Sequence, residues 1–148
     1  MLFRSPFAPF PGFHEVYIDP HAFAHYRETG EFRDGTVLAR ELVGVGSTEA
    51  VSGKGFFPGG FAGLEVAVKD SRRFADEPGG WAYFSFGHEP PPYPETAEPR
   101  ITGACNLCHE AAAAQDWVFT QYYPVLRALT DPPEQREEDE PENSGSGD

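Results

Sequence analysis

The sequence predicts an α+β fold, a mainly antiparallel β-sheet with a few short helices. Three glycine-bounded segments are rich in β-branched or aromatic residues and alternate in polarity, which is typical of strands; they are 36–46, 60–70 and 79–87. Helical patterns lie before and after them. The length of 148 residues suits one sizeable core, so we expect a single domain over residues 1–130.

The first predicted element is a short amphipathic helix that begins after Asp19. Asp19 is a favoured N-cap residue, Pro20 suits the first helical position, and Gly30 lies just past the expected end.

The first two strands are joined by a glycine-rich stretch, SGKGFFPGG, at residues 52–60. It lacks the Gly-Lys-Ser/Thr ending of a phosphate-binding loop, so we predict a hairpin turn there. The third strand completes the sheet.

A proline-rich loop at 88–99 separates the sheet from the rest of the chain. Two segments beyond it, 109–117 and 122–130, have helical patterns. A site built at this point of the chain would lie near the C-terminal helices.

The net charge of −13 is concentrated at the C-terminus. Residues 131–148 hold eight acidic residues against one arginine and have no aromatic or aliphatic residue except proline, so we predict an acidic, disordered tail. The acidic balance argues against nucleic-acid binding. No apolar run is long enough for a membrane span, and no export signal is visible at the N-terminus.

The stretch TGACNLCHEAAAA, 102–114, holds both cysteines, Cys105 and Cys108, followed at once by His109. Three chemistries use this spacing: a redox dithiol, half of a zinc site, and covalent attachment of haem with the histidine as iron ligand. A zinc site lacks a second cysteine pair, and a thioredoxin-like dithiol would sit beside a βαβ pattern. The helical context favours haem, and the other two chemistries stay open.

A haem iron has a second axial position, and the single methionine is Met1. A cytochrome with His and Met ligands is therefore disfavoured, and the sixth position is either a histidine or open to a small ligand.

Several long segments resemble the cytochrome P-460 family, which includes the β-type cytochromes c′. They are VYIDPHAFAHYRETGEFRDGTV, GLEVAVKDSRRFADEPGGWAYF, CNLCHE and WVFTQYYPVLRAL. The resemblance implies one covalently attached haem c, held by Cys105 and Cys108 with His109 as the proximal iron ligand. It also implies a periplasmic homodimer that binds nitric oxide or oxidises hydroxylamine and exchanges electrons with a redox partner cytochrome.

The resemblance also places three residues of the N-terminal half near the haem. Phe10 would cover the distal face, and Glu65 would match the carboxylate that accepts protons in hydroxylamine-oxidising members; the alternative for Glu65 is a solvent-facing strand position. His14 would be a polar distal residue that donates to a bound ligand or ligates iron.

Arg40 stands where the oxidising members have a lysine bonded to the porphyrin edge. A guanidinium stays protonated and is a poor nucleophile, so we expect no such crosslink. Arg40 would instead hydrogen-bond a haem propionate or lie on the surface of its strand. Neither Lys54, in the predicted turn, nor Lys69 is an obvious substitute.

The sequence therefore predicts a haem c protein that binds or converts small nitrogen compounds at an open distal face. The alternatives are a hydroxylamine-oxidising oxidoreductase and a plain electron carrier with His14 as sixth ligand. Haem c is attached outside the cytoplasm, so the missing export signal leads to the hypothesis that the N-terminal segment is truncated.

Overall fold

The computed structural model describes residues 2–4 and 10–130 and has an α+β fold, as predicted. Five antiparallel strands form one sheet in sequential order: β1 (Leu2–Arg4), β2 (Gly12–Ile18), β3 (Val37–Ala50), β4 (Gly53–Lys69) and β5 (Trp81–Ser85). Three short helices accompany it: α1 (Pro20–Thr29), α2 (Asn106–Ala112) and α3 (Pro124–Thr130). The predicted acidic tail, 131–148, lies outside the described residues.

Helix α1 has the predicted boundaries. The Asp19 carboxylate accepts hydrogen bonds from the backbone N–H groups of His21 and Ala22, and Gly30 adopts the left-handed conformation with its N–H donating to the Tyr26 carbonyl. Asp19 also accepts from the N–H of Val37, which ties the start of the helix to β3.

The hairpin between β3 and β4 is longer than the sequence predicts. The prediction of a turn over 52–60 is wrong, because β3 continues to Ala50 and β4 begins at Gly53. Lys54 therefore lies in β4, opposite Glu49. Glycines permit this extension: a Cβ added to Gly46 would lie 2.7 Å from the Cα of Gly59 on the facing strand.

The C-terminal segment is less helical than predicted. Helix α2 ends at Ala112 instead of continuing to Trp117, because the chain turns over residues 115–118. Helix α3 falls inside the predicted range 122–130.

The core lies between one face of the sheet, α1 and the C-terminal segment. Its buried members come from all three parts: Tyr26, Phe32, Trp81, Tyr83, Val118 and Leu126. This packing draws the segment containing both cysteines against the sheet. In the part of the chain that the structure describes, no helix has the length and apolar character needed to cross a membrane.

Candidate functional site

A cleft of about 1080 Å³, counting its open mouth, lies between the sheet and the C-terminal segment. We call its strand residues the sheet wall: His14, Val16, Leu38, Arg40, Glu65, Val66, Ala67, Trp81, Tyr83, Phe84 and Ser85. The C-terminal wall consists of Ala104, Cys105, Cys108, His109, Trp117, Val118, Phe119, Tyr122 and Tyr123. Phe10 and Arg100 complete the lining. The cleft brings together every residue that the sequence analysis singled out for a haem site.

Strand register explains the sheet wall. Val16, Arg40, Glu65 and Ser85 are directly paired across four neighbouring strands and form one row. Because side chains two apart share a face, the next row on the same face contains Leu38, Ala67 and Tyr83. Alternation and register together therefore give the cleft two rows. We call the first the polar row, after Arg40, Glu65 and Ser85, and the second the apolar row.

Arg40 and Glu65 form an ion pair in the polar row. Their side chains are 23% and 24% exposed, so Glu65 is neither a free carboxylate nor a solvent-facing strand residue. The guanidinium of Arg40 also lies 4.7 Å from the ring centroid of Phe10, a cation–π arrangement.

His14 is buried and lies next to the same cluster. Its Nε2 is 3.0 Å from the carbonyl oxygen of Phe10. A carbonyl only accepts, so Nε2 carries the proton of this hydrogen bond. Phe10, His14, Arg40 and Glu65 thus form one connected group, although they come from three parts of the chain.

The two cysteines lie at the start of α2. Cys105 is half-buried at the N-cap position and Cys108 is exposed in the first turn, and they are not joined in a disulfide. Burial raises the pKa of the Cys105 thiol, and the nearby Glu65 carboxylate acts in the same direction. Both thiols line the cleft.

His109 is held on three sides. Its Nδ1 donates to the carbonyl oxygen of Trp117 at 2.7 Å, and its ring lies 4.5 Å from that of Tyr83 and 4.7 Å from that of Phe119. In the neutral ring this tautomer leaves the lone pair on Nε2, the arrangement found in metal-ligating histidines.

Tyr83, on β5, is the last residue of the apolar row, and its ring lies beside that of His109. Burial raises the pKa of Tyr83 well above its usual value, and the Cys105 and Asp116 charges add to the effect. Its hydroxyl therefore stays protonated and is 3.5 Å from the Trp117 carbonyl, at the long limit of a hydrogen bond.

Three polar groups of the cleft lining were not predicted from the sequence as site residues. The indole N–H groups of Trp81 and Trp117 are buried and have no hydrogen-bond partner among the described residues. Arg100 brings a second cation to the lining, and its proximity to Cys105 in sequence was the available signal. The sequence carried no signal of a polar role for either tryptophan, because an indole's bulk predicts packing.

Comparison with protein families gives one match. The family model described as cytochrome P460 matches residues 4–120 of the 148. The matched range contains both walls of the cleft except for Tyr122 and Tyr123. No curated protein matches the chain.

Proposed function

The chain belongs to the cytochrome P460 family, and we propose that it carries one haem c and binds nitric oxide or a related small nitrogen compound on it. Family membership supports haem as the cofactor. The observation that carries the finer proposal is the convergence of two free thiols and a preoriented histidine on one cleft.

The cleft lining fits a haem. Most of it is apolar or aromatic, as a macrocycle requires, and the two orphaned indole N–H groups are donors that a bound group with acceptor oxygens would satisfy. Arg100 adds a cation suited to a carboxylate.

Cys105 and Cys108 would attach the haem. Each thiol would add across one vinyl group, with a C–S bond formed and the thiol proton passed to the neighbouring carbon, so the attachment would need no oxidant. The addition starts from two thiols that are not joined in a disulfide, which is their state here.

His109 would be the proximal iron ligand. The hydrogen bond from Nδ1 to the Trp117 carbonyl fixes the tautomer and the ring orientation. It also makes the lone pair of Nε2 a stronger ligand for a metal. When bound, the haem would supply an iron that can take a small ligand.

The ion pair between Arg40 and Glu65 favours ligand binding over hydroxylamine oxidation. The Glu65 carboxylate already has the Arg40 guanidinium as its partner, so it must leave this contact before it can approach a substrate as a base. Arg40 also stands where the resemblance places the crosslinking lysine. We infer that the haem is not crosslinked, and that Arg40 holds Glu65 instead of a propionate.

Two other functions compete with this one. Hydroxylamine oxidation is supported by the position of Glu65 in the lining, where it could accept a proton once released from Arg40. Electron carriage with His14 as sixth ligand would require Nε2 to leave the Phe10 carbonyl or the ring to ligate through Nδ1.

We also propose that the protein is a periplasmic homodimer that exchanges electrons with a redox partner cytochrome.

The test is an optical spectrum of the ferrous protein, produced with an export signal and haem-attachment machinery, before and after nitric oxide. We expect haem that stays with the denatured chain, a high-spin spectrum without a red-shifted crosslink band, and a new spectrum with nitric oxide. A red-shifted band would place hydroxylamine oxidation first, a low-spin spectrum would favour the electron carrier, and the absence of covalent haem would overturn all three.

A further inference from the structure

Residues 115–118 form a tight turn with unusual backbone geometry. The N–H of Val118 donates to the carbonyl of Gln115 at 2.7 Å, and the reverse bond is 3.4 Å long. The two central residues, Asp116 and Trp117, have φ values of 44° and 58°. Positive φ at both central positions is the pattern of a type I′ turn, which favours glycine, asparagine or aspartate.

The sequence is poorly suited to this turn at its second central position. Aspartate tolerates the left-handed region, but a bulky residue such as tryptophan rarely adopts it and is strained there. Strain of this kind persists only where the surrounding structure holds it.

Several distant parts of the chain hold the turn in place. Lys69, the last residue of β4, forms an ion pair with Asp116, and the two side chains are only 17% and 23% exposed. Gln115 accepts from the hydroxyl of Tyr26 at 2.7 Å and donates to the carbonyl of Gly30. Gly79 makes room for the indole, since a Cβ there would lie 2.4 Å from the Trp117 ring.

The turn brings the carbonyl of Trp117 to His109. This oxygen accepts the hydrogen bond from Nδ1 of His109 at 2.7 Å. Because the carbonyl belongs to the strained residue itself, any relaxation of φ at Trp117 would rotate the oxygen away from the imidazole.

We propose that Lys69 and Asp116 are positioning residues for His109: their ion pair holds the 115–118 turn so that the Trp117 carbonyl polarises the imidazole. The inference rests on the proposed role of His109 as iron ligand. A histidine with a strongly bonded Nδ1–H donates more charge to a metal through Nε2. The pair would thereby strengthen the bond between iron and histidine and lower the reduction potential.

The test compares Asp116→Asn and Lys69→Met with wild type in the haem-loaded protein. Asparagine keeps the tolerance for positive φ while removing the charge, and methionine keeps most of the lysine stem. We expect the iron–histidine stretching band of the ferrous protein to move to lower frequency and the reduction potential to rise in both variants, with partial recovery in Lys69→Arg.

Lys54→Met is the matched control, because Lys54 is 88% exposed and its nearest carboxylate oxygen is 3.9 Å away. It should leave the band and the potential unchanged. If Asp116→Asn and Lys69→Met lower the melting temperature without moving either haem signal, the pair is only structural and the proposal fails. The proposal also fails if the melting temperature, the iron–histidine band and the reduction potential are all unchanged in the two variants.

A second measurement separates this failure from failure of the proposed function. In the full chain produced without haem, nitrogen NMR reports the tautomer of His109, and we expect Nδ1–H to dominate in wild type and to lose population in both variants. Unchanged tautomer populations would overturn the positioning role whether or not the protein takes up haem.

Discussion

The two walls of the cleft are built by different means. The sheet wall depends on strand register: Arg40 and Glu65 meet because β3 and β4 pair them directly, within a ladder of regular hydrogen bonds. The C-terminal wall depends on single contacts, such as the hydrogen bond from His109 to the strained residue Trp117. A regular ladder distributes the effect of a change over many bonds, whereas a wall held by single contacts loses its geometry when one contact goes.

This contrast predicts that changes in the C-terminal wall have larger effects than changes in the sheet wall. The largest effect is expected for the double variant Cys105→Ala and Cys108→Ala. Without either thiol no thioether can form, so covalent haem should fall to zero when the chain is denatured and its absorbance measured. Each single variant should keep one thioether, and covalent haem in the double variant would contradict the assignment.

The next largest effect is expected for Gly79→Ala beneath Trp117. The new Cβ would meet the indole at 2.4 Å, and Gly79 has φ of +64°. Gly35→Ala is a matched control, because Gly35 has φ of +86° but no heavy atom within 4 Å. Overpacking should make Gly79→Ala less stable than the control by about 1–3 kcal/mol in urea unfolding. If Gly79→Ala and Gly35→Ala lose the same free energy of unfolding, Trp117 shifts to accommodate the new Cβ without loss of stability.

A smaller effect is expected for the ion pair of the sheet wall. A double-mutant cycle of Arg40→Met and Glu65→Gln should give a coupling of up to about 1 kcal/mol, because both side chains are partly shielded from water. The same cycle on Lys54 and Glu49, which are 88% and 74% exposed, should give a coupling near zero. If the coupling between Arg40 and Glu65 is no larger than that between Lys54 and Glu49, the ion pair does not hold Glu65 in solution.

The smallest effect concerns acid sensitivity where α1 meets the sheet. Partial burial raises the pKa of Asp19, but hydrogen bonds from the backbone of Ala22, Val37 and His21 outweigh it and lower the pKa overall. A carboxyl with a lowered pKa stabilises the folded state above its unfolded-state pKa of about 3.9, and this contribution disappears as the pH falls through the folded-state value.

Asp19→Asn should therefore lose less stability than wild type between about pH 5 and pH 3. At neutral pH Asp19→Asn should be the less stable protein, because asparagine keeps one oxygen for His21 and Ala22 but its Nδ2 cannot accept from the N–H of Val37. The difference should shrink as the pH falls. Melting temperatures across that range measure the difference, and parallel curves would show that Asp19 does not contribute to acid unfolding.

The sequence predicted the parts of the site that depend on local pattern. The CNLCH motif indicated Cys105, Cys108 and His109, and the cap signals of α1 gave its boundaries. Alternation in β4 separated Glu65 from its neighbours, but it did not say that Arg40 lies opposite, since register depends on how two strands align. The pairing of Arg40 with Glu65 therefore required the fold.

The C-terminal wall was harder to predict, for a physical reason. Alanine-rich residues after His109 predicted a helix to Trp117, but contacts from Lys69, Tyr26 and Gly79 stabilise a turn that local propensity disfavours. The hairpin of β3 and β4 was predicted, but its turn was placed over too many residues. Its glycines indicated a turn, whereas in the fold they let the two backbones approach closely and the strand pairing continues through them.

The long hairpin of β3 and β4 has a consequence for amide hydrogen exchange. Between Val45 and Pro58 its strands pair only with each other among the described strands, and the register shifts repeatedly there. Opening this ribbon breaks no bond in the polar row of the sheet wall, so its free energy of opening is separate from that of the cleft. Amides between Val45 and Pro58 should exchange early and together. Amides around Arg40 and Glu65 should exchange only when the whole domain unfolds.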